Sequence, residues 1–372
     1  MRSIFAISAM VMISILISCN SSTSISKNNL EEDITTTPKK RPLNIILMIA
    51  DGTGLSQISA SQFFNPKASN YERFKHIGLI KTSSSSDLIT DSAAGATALA
   101  SGIKTYNGAV GVDNDTLPKS TILEELAFKG YKTGVIATST ITHATPASFY
   151  AHVESRKMEE DIAEALAASK VNFFAGGGLK FFNDRSDNEN LIIELEKYNF
   201  SIETSALDTD TFLNPDKRYG YLLADKGMPK MTEGRGPFLK NAAKLGLNFL
   251  SQSSYGYFMM IEGSQIDWGG HANDANYLIE EMIDFDNTLG YVLDFVEQEG
   301  NTLLIVTADH ETGGFTLAAQ NHNHNVINPT FSTNGHSATM VPLFAYGPGA
   351  EYFSGIYENT DVYHKIKKIL YH

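Results

Sequence analysis

The stretch NIILMIADG (residues 44–52) decides the fold class of this chain. Residues 45–50 are apolar at every position, and Asp51 and Gly52 follow at once. An apolar run without alternation is typical of a strand that is buried on both faces of a sheet. Five further runs have this form and end in or beside Asp, Glu, Thr or Gly: KTGVIATSTITHATP (132–146), VNFFAGGG (171–178), YFMMIEGSQID (257–267), TLLIVTADHETGG (302–314) and VPLFAYGP (341–348).

Helical segments lie between these runs. Examples are LEELAFKG, EEDIAEALAASK and the acidic NDANYLIEEMIDFDNTLGYVLDFVEQEG. Alternating strands and helices predict an α/β fold, a three-layer sandwich with a mostly parallel central sheet and helices on both faces. In such sheets the chemistry gathers at the carboxyl ends of the strands. Two stretches rich in charges, Pro, Gly or Asn, near 180–240 and 318–335, interrupt the pattern and predict peripheral insertions or loops.

The first residues are typical of an export signal. Arg2 precedes a short apolar run, and Leu-Ile-Ser-Cys at residues 16–19 resembles a bacterial lipobox, in which Cys19 would carry the lipid. The alternative is a plain secretory peptide with a chance cysteine. We therefore expect a lipoprotein signal peptide at 1–19, a polar tether at 20–42 and one large domain at 43–372. The expected location is periplasmic or at the cell surface, with membrane contact through Cys19 only.

The net charge of the chain is −13, and the sequence contains no basic cluster. A nucleic-acid-binding surface is therefore not expected. Cys19 is the only cysteine, so the mature protein would lack disulfides. Its stability would depend on its core and on any bound metal.

Acidic and histidine side chains follow the strands of the predicted sheet. They are Asp51, Glu262, Asp309 and His310 at strand ends, Asp267 and His271 four residues apart in EGSQIDWGGH, and His336 after the second irregular stretch. Each has an ordinary structural explanation, such as a helix cap or a surface pair. Together they predict a metal site, because mixed Asp and His ligands without cysteine suit Zn²⁺ or a similar divalent ion.

Six ordered motifs are similar to the successive signatures of alkaline phosphatases, closest to the small cold-active bacterial enzymes. They are MIADG, TDSAAGATA, THATPASFYAHVESRK, IEGSQIDWGGH, TADHETGGF and NGHSATMVPLFAYGPG. The resemblance covers about residues 44–349. It implies a phosphate monoester hydrolase that works through a phosphoserine intermediate.

The resemblance also implies two zinc ions and one magnesium ion. The implied ligands are Asp267, His271 and His336 for the first zinc; Asp309, His310 and one oxygen of Asp51 for the second; and the other oxygen of Asp51, Thr145 and Glu262, with waters, for Mg²⁺. Oxygen ligands and water are what Mg²⁺ prefers, whereas nitrogen ligands favour zinc.

Ser92 is the implied nucleophile of the TDSAAGATA motif. Taken alone, it would pass for the N-cap of an Ala-rich helix. The resemblance implies that Ser92, at the start of a helix, attacks the phosphorus atom. It also implies that the planar guanidinium of Arg156 binds two phosphate oxygens and that Asp91 orients this arginine.

Two residues depart from one widespread pattern of the family, which has Asp where this chain has His143 and Lys where it has Trp268. Both would lie near bound phosphate. His143 either donates a nitrogen to the third site, which would then accept Zn²⁺, or hydrogen-bonds a metal-bound water. His322 and His324 offer a further metal site, for which a solvated polar loop is the simpler explanation.

Two other function classes remain open on the sequence. One is another metallohydrolase of the same fold, a phosphodiesterase or sulfatase relative; the other is a non-catalytic lipoprotein that binds phosphate or zinc. Neither explains a serine in the DSAA context together with Arg156. The family is commonly dimeric, so a homodimer is an open alternative to a monomer.

Overall fold

The fold is that of a computed structural model, which describes residues 44–371. The expected signal peptide, Cys19 and the whole of the expected tether lie outside the described residues. The strands are Asn44–Ala50 (β1), His76–Lys81 (β2), Lys132–Thr140 (β3), Phe173–Gly177 (β4), Phe200–Glu203 (β5), Arg218–Leu222 (β6), Tyr257–Gly263 (β7), Thr302–Thr307 (β8), Glu311–Thr312 (β9), Thr316–Gln320 (β10), Asn323–Thr330 (β11), His336–Ser337 (β12), Val341–Tyr346 (β13) and Gly355–Glu358 (β14).

The helices surround the sheet. The α-helices are Leu55–Phe64 (α1), Ser92–Ser101 (α2), Ile122–Phe128 (α3), Ala144–Ala147 (α4), Glu159–Ala168 (α5), Lys180–Asn183 (α6), Leu191–Lys197 (α7), Phe238–Leu250 (α8), Gln265–His271 (α9), Ala275–Glu299 (α10) and Thr360–Tyr371 (α11). Short 3-10 helices occupy Asn70–Arg73, Met231–Glu233 and Ala350–Phe353. Within the described part of the chain, no helix is both long and apolar enough to cross a membrane.

Ten of the described strands form the central sheet, in the order β14-β2-β13-β8-β1-β7-β3-β4-β6-β5. The six apolar runs of the sequence are β1, β3, β4, β7, β8 and β13, so the predicted α/β sandwich is confirmed. The sheet is mostly parallel, although β13 runs antiparallel to both β8 and β2. Because of these two antiparallel pairs, the central sheet is mostly, but not entirely, parallel, as expected.

Strand β1 shows why the runs do not alternate. Ile45, Leu47 and Ile49 belong to the hydrophobic core on one face of the sheet, whereas Ile46 and Met48 belong to the core on the other face. All five side chains are inaccessible to solvent. A strand with a core on each side needs apolar residues at every position, which is the pattern from which the fold was predicted.

The two stretches expected to be insertions or loops contain regular structure. In 180–240, β5 and β6 pair in parallel and extend one edge of the central sheet. Around 318–335, β10 and β11 form an exposed antiparallel hairpin. The sequence did not reveal these strands, because β5 and β6 are only four and five residues long and β10 and β11 are mostly exposed, so none of them has a long apolar run.

The start of α3 carries a charged pair that is separate from the metal ligands. Thr121 caps the helix in a box with Glu124. His152 bonds to the carbonyl of Gly111 through Nδ1 at 2.7 Å and to Glu124 Oε1 through Nε2 at 2.8 Å. Both partners are acceptors, so both ring nitrogens donate and the imidazole is protonated. Burial lowers the pKa of His152, but these bonds outweigh burial and raise it.

This pair predicts a loss of stability as the pH rises. A raised pKa in the folded state stabilises the protein fully below the unfolded value of about 6.5, and the effect fades as the pH passes the folded pKa. We expect Glu124→Gln to lower the Tm of the metal-loaded protein by about 2 °C near pH 6 and by less near pH 9. Glu125→Gln is the matched control, because its partners Lys367 and Tyr363 do not titrate there. If Glu124→Gln lowered the Tm equally near pH 6 and near pH 9, His152 and Glu124 would not form a charged pair.

Candidate metal centre and nucleophile

The candidate ligands meet because three neighbouring parallel strands end at the same edge of the sheet. The register pairs Ile49 of β1 with Glu262 of β7 on one side and with Thr307 of β8 on the other. Asp51 directly follows β1, Asp309 follows β8 by two residues, and each lies two residues beyond its member of the Ile49–Thr307 pair. The sheet therefore brings together carboxylates that are more than 200 residues apart in the chain.

The first cluster consists of Asp51, Asp309 and His310, all fully buried. His310 Nε2 lies 3.5 Å from Asp51 Oδ1 and 3.2 Å from Asp309 Oδ2. Both carboxylate oxygens of Asp51 and Oδ2 of Asp309 lack a hydrogen-bond partner. Burial, followed by repulsion from Asp309, holds the pKa of Asp51 well above its usual value. Buried acceptors without donors are what a cation site requires.

The second cluster is built on α9, which carries Asp267 and His271 one turn apart. Asp267 Oδ1 lies 3.4 Å from Nε2 of His271 and 3.6 Å from Nε2 of His336. The two Nε2 atoms are 3.1 Å apart. Since His336 belongs to β12, which pairs with β9 directly after His310, this cluster adjoins the first.

Backbone carbonyls fix the tautomers of these two histidines. His271 Nδ1 lies 2.7 Å from the carbonyl of Asn334, and His336 Nδ1 lies 2.8 Å from that of Thr90. A carbonyl only accepts, so each Nδ1 carries the proton and each Nε2 presents a lone pair. Two lone pairs and a carboxylate oxygen that face one point are suited to a metal ion.

A third group joins Asp51 to Glu262, with His143 and Thr145 beside it. Asp51, His143 and Glu262 form a possible ligand group. Glu262 Oε1, Thr145 Oγ1 and His143 Nδ1 are buried and have no hydrogen-bond partner. Ser264 donates to Glu262 Oε2 at 2.6 Å, which fixes the orientation of the carboxylate. Burial raises the pKa of Glu262 to about 7, despite that hydrogen bond.

Ser92 is the first residue of α2, and Asp91, not Ser92, is the N-cap. Asp91 Oδ1 accepts from the backbone N–H groups of Ala94 and Gly108, both at 3.0 Å. The Ser92 hydroxyl is buried at 3.1 Å from His310 Nε2. It therefore lies beside the first cluster, at the positive end of the helix.

The small residues of α2 allow this close approach. A Cβ on Gly95 would lie 3.1 Å from both the Cβ and the carbonyl oxygen of Asp309. A larger residue would push the helix away from the strand end that carries the cluster. The Ala- and Gly-rich sequence after Ser92 thus brings the hydroxyl close to the candidate ligands.

Arg156 lies between Asp91, the N-cap of α2, and His143 of the third group. Its Nη1 donates to Asp91 Oδ2 at 3.0 Å, and its Nη2 donates to His143 Nε2 at 3.1 Å. Trp268 stands edge-on to His143, with ring centroids 5.9 Å apart and planes at 78°. All thirteen sequence-predicted site residues therefore lie in one connected group, whereas His322 and His324 are exposed near the tip of the β10–β11 hairpin.

Comparisons with known proteins fit this geometry. The sequence model of the alkaline phosphatase family matches residues 42–329. The chain belongs to the alkaline phosphatase family. It is 32% identical to alkaline phosphatase 3 of Bacillus subtilis (strain 168), over 88% of each chain. It is 53% identical to the alkaline phosphatase of the Antarctic bacterium TAB5, whose structure matches with a TM-score of 0.86 over 89% of this chain and 98% of that one.

A variant of the TAB5 enzyme is also similar. In it aspartate replaces a histidine, and Mg is bound in the site called M3; it is 52% identical, with a TM-score of 0.85 over 89% of this chain and 98% of that one. The present chain is thus an alkaline phosphatase, a metal-binding hydrolase of phosphate monoesters.

Several contacts in this alkaline phosphatase were not predictable from its motifs. Thr312 donates to Asp267 Oδ1 at 2.5 Å and lies 3.2 Å from His310 Nδ1, so it links the two clusters. Ser264 orients Glu262. Both residues lie within quoted motifs, but a hydroxyl beside a ligand carries no sequence signal of its own.

Proposed function

We propose that this alkaline phosphatase transfers the phosphoryl group of a monoester to Ser92 and then to water, at a site for two Zn²⁺ and one Mg²⁺. One observation carries the proposal: the buried Ser92 hydroxyl lies 3.1 Å from His310 Nε2, at the edge of a cluster of buried ligand atoms that have no partner. A non-catalytic binder would need the ligands but no such hydroxyl.

The residues present fit the implied ions. Two fully buried carboxylates, Asp51 and Asp309, lie close enough for repulsion to raise the pKa of Asp51, and three of their oxygens have no hydrogen-bond partner among the described residues. The donor set is nitrogen-rich around Asp267, His271 and His336, and oxygen-rich around Glu262 and Thr145. Nitrogen and carboxylate ligands suit zinc, and hard oxygens suit magnesium.

The three ion sites would share Asp51. Asp267, His271 and His336 would hold one zinc; Asp309, His310 and Asp51 the other; and Asp51, Glu262 and Thr145 the magnesium. When bound, such ions supply charge that lowers the pKa of a nearby hydroxyl and stabilises an oxyanion leaving group. Three divalent cations would also reverse the local field of an acidic protein toward an anionic substrate.

In the proposed mechanism, the reaction proceeds by two in-line displacements at phosphorus. Ser92 Oγ loses its proton and attacks phosphorus, the bond to the ester oxygen breaks, and the alcohol leaves with a proton. A water oxygen then attacks the phosphoserine from the side that the alcohol vacated. The P–O bond to Ser92 breaks, the serine regains a proton and phosphate is released. The start of α2 directs N–H dipoles toward the anion throughout.

Arg156 would bind two of the non-bridging oxygens of the phosphoryl group. Its guanidinium is held by Asp91 and His143, so it is oriented before the substrate arrives. An oriented planar fork that donates two parallel hydrogen bonds suits a phosphoryl group. We assign Arg156 to phosphate binding in both steps.

The hydrogen bond of Arg156 also bears on the role of His143. A guanidinium can only donate, so His143 Nε2 must accept, and the proton of the neutral ring lies on Nδ1. Burial, with Arg156 nearby, lowers the pKa of His143 to about 3, which keeps the ring neutral. The unpartnered Nδ1 therefore faces the third site as a donor. This favours a hydrogen bond to water on Mg²⁺ over direct ligation of zinc.

Exchanging His143 and Trp268 for the residues common in the family tests the phosphate site. Trp268 is neutral, whereas a lysine would supply a charge near bound phosphate. We expect the double variant His143→Asp, Trp268→Lys to bind phosphate about tenfold more tightly and to have lower KM and kcat, because tighter product binding slows release. Its third site should also select Mg²⁺ more strongly over Zn²⁺.

Phosphate inhibition constants and metal competition measure this effect. The single variant Trp268→Phe is the control, since it keeps an aromatic ring and adds no charge. A double variant whose inhibition constant is unchanged would contradict the assignment of these residues to the phosphate site.

Substrate preference separates the proposal from its nearest rival. We expect rapid release of p-nitrophenol from p-nitrophenyl phosphate at alkaline pH and slow release from bis(p-nitrophenyl) phosphate, because Arg156 is oriented to grip two free oxygens. Faster diester cleavage would support a phosphodiesterase of the same fold. No turnover of either ester by the metal-loaded protein would support a binding protein.

A further inference from the structure

The single tryptophan of the chain lies between the phosphate-binding residues and a glycine. On one side, Trp268 meets His143, which accepts from Arg156. On the other, a Cβ added to Gly227 would lie 2.7 Å from Cη2 and 3.0 Å from Cζ3 of Trp268. The backbone of Gly227 is therefore in tight contact with the outer edge of the indole ring. Gly227 does not have a positive φ, so its backbone conformation does not require glycine. The close approach of the indole ring is the reason that a side chain does not fit at this position.

Gly227 belongs to a segment that we call the strap, residues 226–235. Its first end is tied to the sheet: the N–H of Gly178 donates to the carbonyl of Lys226 at 2.9 Å, and the N–H of Met228 donates to that of Thr138 at 3.1 Å. Gly177 permits the first contact, since a Cβ there would lie 1.9 Å from the Lys226 carbonyl oxygen.

The strap is also tied to α9, the helix that carries Trp268. Gln265 donates through Nε2 to the carbonyl of Met228 at 2.6 Å, and its Oε1 accepts from the Tyr277 hydroxyl at 2.6 Å. Gln265 is fully buried. α9 thus carries Trp268 and, three residues before it, holds the strap at Met228, the residue directly after Gly227.

Arg235 fixes the second end of the strap on α10. Its side chain is fully buried; Nη2 donates to Glu281 Oε2 at 2.6 Å and to Asp284 Oδ2 at 2.9 Å. Glu281 Oε1 in addition accepts from the N–H of Met231 at 2.8 Å. Burial raises the pKa of both carboxyls, against the effect of Arg235.

A buried ion cluster of this kind is weak support for stability, because desolvation offsets most of the attraction. Its geometric effect is definite: a planar fork on two carboxylates one turn apart on a helix allows few positions for the strap. The strap in turn limits the positions of the indole ring.

We propose that the strap is a positioning device for phosphate binding, in which Arg235 fixes the strap and Gly227 sets the ring of Trp268 against His143 and hence Arg156. Gly227 and Arg235 are positioning residues and do not touch the phosphate. The proposal rests on the proposed role of Arg156, but its first readout, the fluorescence of Trp268, does not need catalysis.

Gly227→Ala is the sharpest test. The added methyl meets the far end of a side chain, so the ring can move while the backbone and the ion cluster stay in place. We expect the emission of the single tryptophan to change in the metal-loaded enzyme. The phosphate inhibition constant should rise about threefold or more, because a small displacement at the site weakens oriented contacts.

Arg235 is tested by two variants and a matched control. Arg235→Met should change the same fluorescence and inhibition constant, and Arg235→Lys should restore both only in part, since lysine keeps the charge but not the fork. The control is Arg73→Met. Arg73 also bridges two acids of α10, Asp294 at 2.8 Å and Glu297 at 2.9 Å, but it holds a different segment.

The outcomes separate cleanly. A change in both readouts in the strap variants but not in Arg73→Met supports the proposal. Unchanged fluorescence in Gly227→Ala overturns it, and so does changed fluorescence with an unchanged inhibition constant. If Arg235→Met fails to fold, Gly227→Ala and Arg235→Lys still decide. If the wild type hydrolyses no monoester, the proposed function fails, and phosphate binding measured by calorimetry replaces the inhibition constant.

Discussion

Replacing Ser92 by alanine is expected to lower kcat for a monoester by about three orders of magnitude or more, because the variant cannot form the phosphoserine. The hydroxyl lies at the start of α2 and is not the N-cap, so the helix keeps Asp91 as its cap. Zinc and magnesium content and the Tm should stay near those of the wild type. Some turnover should remain, since water can attack the bound ester directly.

Ser101→Ala is the matched control, because it makes the same change at the other end of the same helix. Steady-state kinetics measure kcat, metal analysis measures the zinc and magnesium content, and rapid-quench trapping measures the labelled phosphoenzyme. Unchanged turnover in Ser92→Ala, or labelled phosphoenzyme in that variant, would rule out Ser92 as the nucleophile.

Removing the metals is expected to abolish activity and to lower the Tm by about 10 °C or more. An ion present at 100 times its Kd stabilises the native state by about 2.7 kcal/mol, and each kcal/mol shifts the Tm by about 2–4 °C in a large domain. In the metal-free protein the buried carboxylates repel one another, as the raised pKa of Asp51 reflects. Zinc together with Mg²⁺ should restore both properties.

Asp51→Asn separates metal binding from general damage. This residue is shared by two candidate groups, so the variant should bind less metal and its Tm should fall less on chelation. Its metal-free form should be more stable than the metal-free wild type, because one buried like charge is gone. Asp286→Asn is the control: Asp286 is equally buried, bonds Asn70 and lies outside the clusters. Full activity and an unchanged melting curve after chelation would contradict the metal assignment.

The sequence predicted the parts of the fold that are buried on both faces. β1, β7 and β8 have a core on each side, so their apolar runs are continuous and recognisable. β5 and β6 were missed because both are short, and β5 lies at the edge of the sheet, where a strand is covered less and tolerates charges. β6 lies between β4 and β5, and its buried Gly220 interrupts the apolar run because the ring of Phe174 lies 2.2 Å from where a Cβ of this residue would be.

The candidate ligands could be named from the motifs, but their orientation could not. The backbone carbonyls of Asn334 and Thr90 fix the tautomers of His271 and His336, and so determine which nitrogen of each ring offers a lone pair. Each carbonyl is distant in the chain from its histidine or is a backbone group that any residue has, so no motif reveals it. The donor role of His143 Nδ1 likewise depends on Arg156. Such contacts arise only when segments far apart in sequence meet.

The position of β1 has a consequence for synthesis. Its neighbours in the sheet are β7 and β8, so the first of the described strands to be synthesised must wait for strands that are made much later. About 200 residues separate Ala50 from Tyr257, and at 5–20 residues per second a ribosome needs roughly 10–40 s to add them. During that time the apolar run of six residues in β1 has no native partner on either edge. Nascent chains of this phosphatase should therefore depend on chaperones that shield such segments until the second half emerges.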